Sequence, residues 1–236
     1  LRYPNRRVQY EAAMSLGKAQ PRQGFAGSER VVPLLASAIR DAGVRYAAVV
    51  ASDKERGAGI RKALEKAGYT VLPVGSSMNE LAQPIAEVPG VDLVVTNLNT
   101  ATATNELIDE AKRSPKLGVT PILALTESTA VVDQTRRYDR DLLVSVRGAG
   151  VNDAQLVEAA AQLVERSVGG PIKPEEARDY ATKSLAVLRD LAVSGNTVFD
   201  GHAIRHCPNP QLLRSSFERD GDRSPGRCAS EGLTEG

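Results

Sequence analysis

The sequence predicts an α/β protein with a parallel, doubly wound sheet of five short strands covered by helices on both faces. Five apolar runs of strand length recur through the middle of the chain: Tyr46 to Ser52, Thr70 to Val74, Val91 to Val95, Pro121 to Leu125 and Asp141 to Val146. They are too short for buried helices and too continuous for half-exposed strands. Helical patterns separate them, and parallel strands need such crossovers, which then serve as the cover.

Taken in order, Asn5 to Leu16 reads as a helix with Val8, Ala12, Ala13 and Leu16 on one face, and Pro21 to Gly27 is a turn-rich break. Ser28 is placed as the cap of a second helix, Val31 to Ala42, with Val32, Leu35, Ala38 and Ile39 inward. After the first strand, Asp53 to Lys66 carries Ile60, Ala63, Leu64 and Ala67 at helical spacing, and Gly68-Tyr69 closes it before the second strand. Helical stretches follow around Asn105 to Lys112, around Ala130 to Tyr138 and over Asp153 to Val168. Residues 169–174 read as a linker, and Glu175 to Leu191 as a further helix with Ala177, Ala181, Leu185, Leu188 and Leu191 on its apolar face. From Gly201 periodicity vanishes, the reading is a disordered tail, and the change of character has the look of translation in an altered frame. The division is 1–43 helical hairpin, 44–168 α/β domain, 169–200 linker and helix, and 201–236 tail.

The chain has 236 residues and a formal net charge of +1, so no broad pull toward nucleic acid or anionic lipid is expected. Aromatics make up 4%, which removes most stacking platforms for bases. No apolar run approaches the roughly 18 to 20 residues that span a bilayer, and no signal-peptide pattern is present. A cytoplasmic protein is the expectation, although the start at Leu1 leaves room for a longer parent. Cys207 and Cys228 both fall in the last segment, so the core uses no disulfide framework.

The order of strands and helices, the Ala67-Gly68-Tyr69 exit from the first crossover, Val91-Asp92-Leu93-Val94-Val95 for the third strand and Pro121 to Thr126 for the fourth resemble a response-regulator receiver, over Arg45 to Val168. The resemblance implies the flavodoxin-like strand order 2-1-3-4-5, with a ligand crevice at the carboxyl ends of the strands. The positions to examine are then Ala51, Ser52, Asp53, Asn97, Thr126 and Ser145. A phosphoacceptor would need an acid pair at Ala51 and Ser52, a carboxylate at Asn97 and a lysine at Ser145, and only Thr126 keeps the family's type. The domain therefore reads as a degenerate receiver that kept the fold and lost the phosphorylation apparatus. The segments Arg7 to Gly17 and Val31 to Ile39 resemble the paired helices of a HEAT repeat, which stack on neighbours and so imply an array preceding Leu1. An ordinary helical hairpin packed on the main domain is the other reading of that pair.

Other motifs point elsewhere and fall short. Gly57-Ala58-Gly59 starts a dinucleotide fingerprint whose third glycine would be Lys62, and Gly75-Ser76 stands where an acidic ribose partner is wanted. His202, His206, Cys207 and Cys228 can be written as a zinc set, but Pro208 and Pro210 and the long gap fit no compact ligand motif. No catalytic residue, metal or cofactor is expected. The favoured function is a non-catalytic signalling or scaffold module that binds a protein partner or a second copy of itself. The resemblance places that contact on the fourth helix, fifth strand and fifth helix, where Asp133, Arg136, Arg137, Arg140 and Arg147 form a mixed-charge face. The alternatives are an active phosphoacceptor using an acid such as Asp53, and a small-ligand sensor at the strand ends.

Overall fold

Strands form where aliphatic residues run without polar interruption: β1 (Arg45–Ala51), β2 (Tyr69–Val71), β3 (Leu93–Asn97), β4 (Ile122–Thr126) and β5 (Val144–Gly148). In the computed structural model, which describes residue 1 and residues 3–199, they make one all-parallel sheet in the order β2-β1-β3-β4-β5. The expected doubly wound α/β fold is the one observed.

Side-chain alternation sorts the sheet into two buried faces. On one, Ala47, Val49, Leu93, Val95, Leu123 and Leu125 pack against Ile60 and Leu64 of α3 (Lys54–Lys66) and Leu156 and Leu163 of α7 (Asp153–Val168). On the other, Ala48, Val50, Val94, Ile122, Ala124 and Val144 meet Leu81 and Ile85 of α4 (Met78–Glu87), Leu107 and Ile108 of α5 (Ala101–Arg113), and Tyr138 just beyond α6 (Val131–Arg137). Strands buried on both sides are apolar throughout, which is why the runs were readable.

α4 was not named from the sequence. Pro84 inside it removes a backbone donor and breaks the helical signal. Ser28 is not the cap of the second helix either. Residues Ser28–Arg30 form a 3-10 turn entered through Gly27 at φ +93°, and α2 (Val31–Arg40) starts without a side-chain cap.

The helices outside the sheet, α1 (Arg6–Ala19), α2 and α8 (Pro174–Ser194), pack on one another. α8 lies against both members of the N-terminal pair, so the pair is closed by a helix from the far end of the described chain and not by a preceding repeat. Tyr10 and Tyr180 meet edge to face with ring centroids 5.4 Å apart, and the Tyr10 hydroxyl lies 3.3 Å from Ser37 Oγ. The buried stripe of α8 is Tyr180, Ser184, Val187 and Leu191, whereas Leu185, expected inward, is 49% exposed. In α1 the buried residues include Arg6, Gln9, Tyr10, Ala13 and Met14, and Val8, also expected inward, is 47% exposed.

Gly17 is where α1 comes closest to α8, because a Cβ there would run into Val187 Cγ1. Gly17→Ala gains helix propensity but must push a stiff branched side chain aside. We expect a net loss of about 1–3 kcal/mol, measured by urea unfolding and largely recovered in the double variant with Val187→Ala.

Arg6 fixes this helical group to the sheet's amino-terminal edge, and Arg7 fixes α1 to α8 and to the connection before it. Arg6 Nη1 donates to Asp41 O at 3.0 Å, and its Nη2 donates to Val44 O at 2.7 Å and to both Asp92 carboxylate oxygens at 2.9 Å. Asp92 also accepts from the Tyr46 amide at 2.7 Å. Arg7 forms a two-pronged pair with Glu176 at 2.6 and 2.9 Å and donates to the carbonyls of Gly170 and Pro171. That guanidinium holds the Glu176 carboxyl below its ordinary value.

Candidate functional site

In an open parallel sheet a crevice forms where neighbouring strands send their connections to opposite faces. Here that point lies between β1, which leads to α3 on one face, and β3, which leads to α5 on the other. Ala51 pairs with Asn97, Asn97 with Leu125, and Leu125 with Arg147, so four strands end at nearly one level.

The ends of β1, β3 and β4 carry Ser52, Asn97 and Thr126. Ser52 is exposed, and its amide donates to Asn97 O at 3.1 Å, keeping the two strands joined to the last residue. Asn97 is half-buried, with Nδ2 donating to Leu125 O at 3.4 Å. Thr126 is buried, and its carbonyl accepts from the Ala149 amide at 2.6 Å. Ala51 is buried, and its amide donates to Gly75 O at 2.9 Å, which adds the β2–α4 connection as a wall. Thr100 caps α5 by accepting from the Ala103 amide at 3.1 Å.

Two of the sequence-derived positions serve otherwise. Asp53 caps α3, its carboxylate accepting from the Arg56 amide at 2.7 Å. Ser145 is not at the crevice: it pairs with Leu123 in mid-sheet, because β5 begins at Val144 and not at Asp141. Gly57 is required by packing, since a Cβ there would press on Val74 and Ala51, whereas one at Gly59 would meet open space. Gly57 therefore belongs to the seating of α3 on the sheet, and Gly59 does not.

Sequence reasoning missed Arg56. From the first turn of α3, its Nη2 donates to Ala149 O at 2.8 Å and to Val151 O at 3.0 Å, in the β5–α7 connection. α3 and α7 cover the same face of the sheet and pack on each other, so this contact joins the amino-terminal ends of the two helices. Partners that are backbone carbonyls some ninety residues away leave no pattern in a sequence.

The expected mixed-charge face is divided. Asp133, Arg136 and Arg137 are exposed on α6, and Arg140 is exposed in the turn after it. Arg137 and Lys112 stand over the Tyr138 ring at 5.8 and 5.4 Å, and Lys112 is paired with Asp141. Arg147 lies apart on β5, where alternation with Val146 turns it toward the α7 side of the sheet. Among the described residues no group of three His, Cys, Asp or Glu could hold a metal ion. No helix among them is long and apolar enough to cross a membrane. The zinc-set and disordered-tail readings fall on residues 201–236, outside the described ones.

No protein-family model matches the chain, and no curated protein matches it. Among solved structures the chain is similar to the sugar isomerase domain of an RpiR transcription factor from Sphaerobacter thermophilus, at 18% identity and a TM-score of 0.30, covering 78% of this chain and 96% of that one. No family model supports the receiver resemblance, which is corrected accordingly, along with the HEAT-like pair that α8 closes. The readings built on the resemblance, a signalling scaffold and a phosphoacceptor, fall with it: Asn97 offers an amide, Asp53 is a helix cap and Ser145 is buried in the sheet. The chain is described by its fold alone, a five-stranded doubly wound α/β protein with polar residues at the strand ends of its switch point.

Proposed function

We propose that this chain is a non-catalytic binding module for a small, hydroxyl-rich ligand seated at the carboxyl ends of β1, β3 and β4. The observation that carries the reading is that three neighbouring strand ends at the switch point carry hydroxyl and amide side chains, Asn97 in register with the α3 side of the sheet and Ser52 and Thr126 with the α5 side. Such groups donate and accept, which suits a ligand whose own hydroxyls do both. The strand ends are held by backbone pairing, so these groups are set before a ligand arrives. A cytoplasmic setting belongs to the same proposal.

The test is a panel of hexoses, hexitols and their monophosphates titrated into the full chain and followed by amide chemical shifts. We expect saturable shifts at Ser52, Asn97 to Thr100 and Thr126. Asn97→Leu should weaken binding about tenfold, the worth of about 1.4 kcal/mol, with an unchanged unfolding midpoint. Absence of saturable binding across the panel, or binding indifferent to Asn97→Leu, overturns the reading.

A further inference from the structure

Each end of the sheet presents a strand with one side unpaired, and such an edge is a template for pairing with another chain. β2 at one end offers three residues, whereas β5 at the other offers five. Along a strand, the amide and carbonyl of one residue point to the same side and successive residues alternate. Ile122 N donates to Leu143 O and Ala149 N to Thr126 O, so Leu143, Ser145, Arg147 and Ala149 face β4, while Val144, Val146 and Gly148 face outward. Most of these outward groups are engaged within the chain. Val144 N donates to Asp141 O at 3.2 Å, and Gly148 O accepts from Val151 N at 3.3 Å. The other two carbonyls are met by arginines: Arg166 Nη2, from the last turn of α7, donates to Val144 O at 3.1 Å, and Arg147 Nη1 donates to Val146 O at 2.9 Å. That leaves the amides of Val146 and Gly148 as the outward groups with no hydrogen-bond partner among the described residues.

The strand that fits this edge is β5 of a second copy. Set antiparallel about a two-fold axis at Val146, it would bring Val146 opposite Val146 and Gly148 opposite Val144. The Val146 amide would then donate to Val146 O of the second copy, and the Gly148 amide to its Val144 O. The two acceptors this pairing needs are the two that Arg147 and Arg166 hold. Both side chains are exposed, so burial does not explain where they lie, and among the described residues neither has an acid within ion-pair distance. Their charges would also meet like charges across the axis, which opposes the approach. We infer that Arg147 and Arg166 close the outer edge of β5 against pairing with a second copy of this chain. The inference is independent of the ligand reading above.

The test is sedimentation of the full chain over a range of concentrations, with amide exchange read residue by residue in the same samples. In the native protein the Val146 and Gly148 amides should exchange at rates independent of concentration. Arg147→Ala plus Arg166→Ala should form concentration-dependent dimers, with exchange at these two amides slowing as the dimers form. Arg147→Ala alone changes an exposed side chain, frees Val146 O and should show the same pattern more weakly. Arg136→Ala plus Arg137→Ala removes equal charge from the exposed side of α6 and should behave as the native chain does. A folded double variant that stays monomeric would overturn the inference, and so would dimers that leave the Val146 and Gly148 amides unprotected. Slowing of those amides with concentration in the native chain would show that the edge is open already. Equal association in the α6 variant would assign the effect to lost charge and likewise overturn the closure. If the double variant does not fold, Arg147→Ala decides by the same two readouts.

Discussion

Arg6→Met should destabilise the protein by about 3–5 kcal/mol, the cost of leaving a buried charge without its partner. The Arg6 side chain is 5% exposed and that of Asp92 23%, and the pair is two-pronged. Burial already pushes the Asp92 carboxyl above its ordinary value, with Arg6 and the Tyr46 amide opposing the rise. Without Arg6 the rise should be larger. A carboxyl whose pKa is raised in the folded state binds its proton more tightly there than in the unfolded chain, so its penalty is greatest at neutral pH and shrinks as pH falls. The gap in unfolding free energy between native protein and Arg6→Met should therefore narrow toward acid. A gap that stays constant or widens between pH 7 and pH 5 would show that Asp92 is not the group left stranded.

Leu123→Ala is expected to cost about 2–5 kcal/mol through lost burial and the cavity left behind. Leu123 is fully buried at the centre of the sheet, between Val95 on β3 and Ser145 on β5. Helices close that face, and strands joined on both sides have little freedom to move into the space. Leu142→Ala, at a site 63% exposed, is the matched control and should fall within about 0.5 kcal/mol of the native protein. Similar losses in the two variants would contradict the placement of Leu123 in the central layer.

The sheet was legible because each of its strands is buried on both sides and so is apolar without interruption. Ser52, Asn97 and Thr126 were named through the receiver resemblance, and they stand at strand ends although the apolar run of β3 stops two residues short, at Val95. Ser145 was misjudged for the reason the method worked elsewhere: Leu142 and Leu143 extend the apolar run, yet they belong to a turn. The docking face of α1 was illegible since its buried positions include Arg6 and Gln9, side chains that count as polar until their partners are known. Arg6 finds Asp92 eighty-six residues away. Arg56 was hidden in a similar manner, by carbonyl partners of no particular residue type.

The closure of α1 and α2 by α8 has a kinetic consequence. Contacts such as Tyr10 with Tyr180 and Arg7 with Glu176 join residues about 170 positions apart, among the most distant pairings in the described chain. Such contacts form late, because a long loop must close before they give any return. During synthesis the first two helices would leave the ribosome well before the helix that covers them, with Tyr10, Met14 and Leu35 open to other chains in the interval. The sheet, whose paired strands are consecutive in sequence except for β1 with β3, can assemble in the meantime. Refolding should accordingly show two phases: an early one reporting the sheet and a slower one reporting the Tyr10–Tyr180 contact.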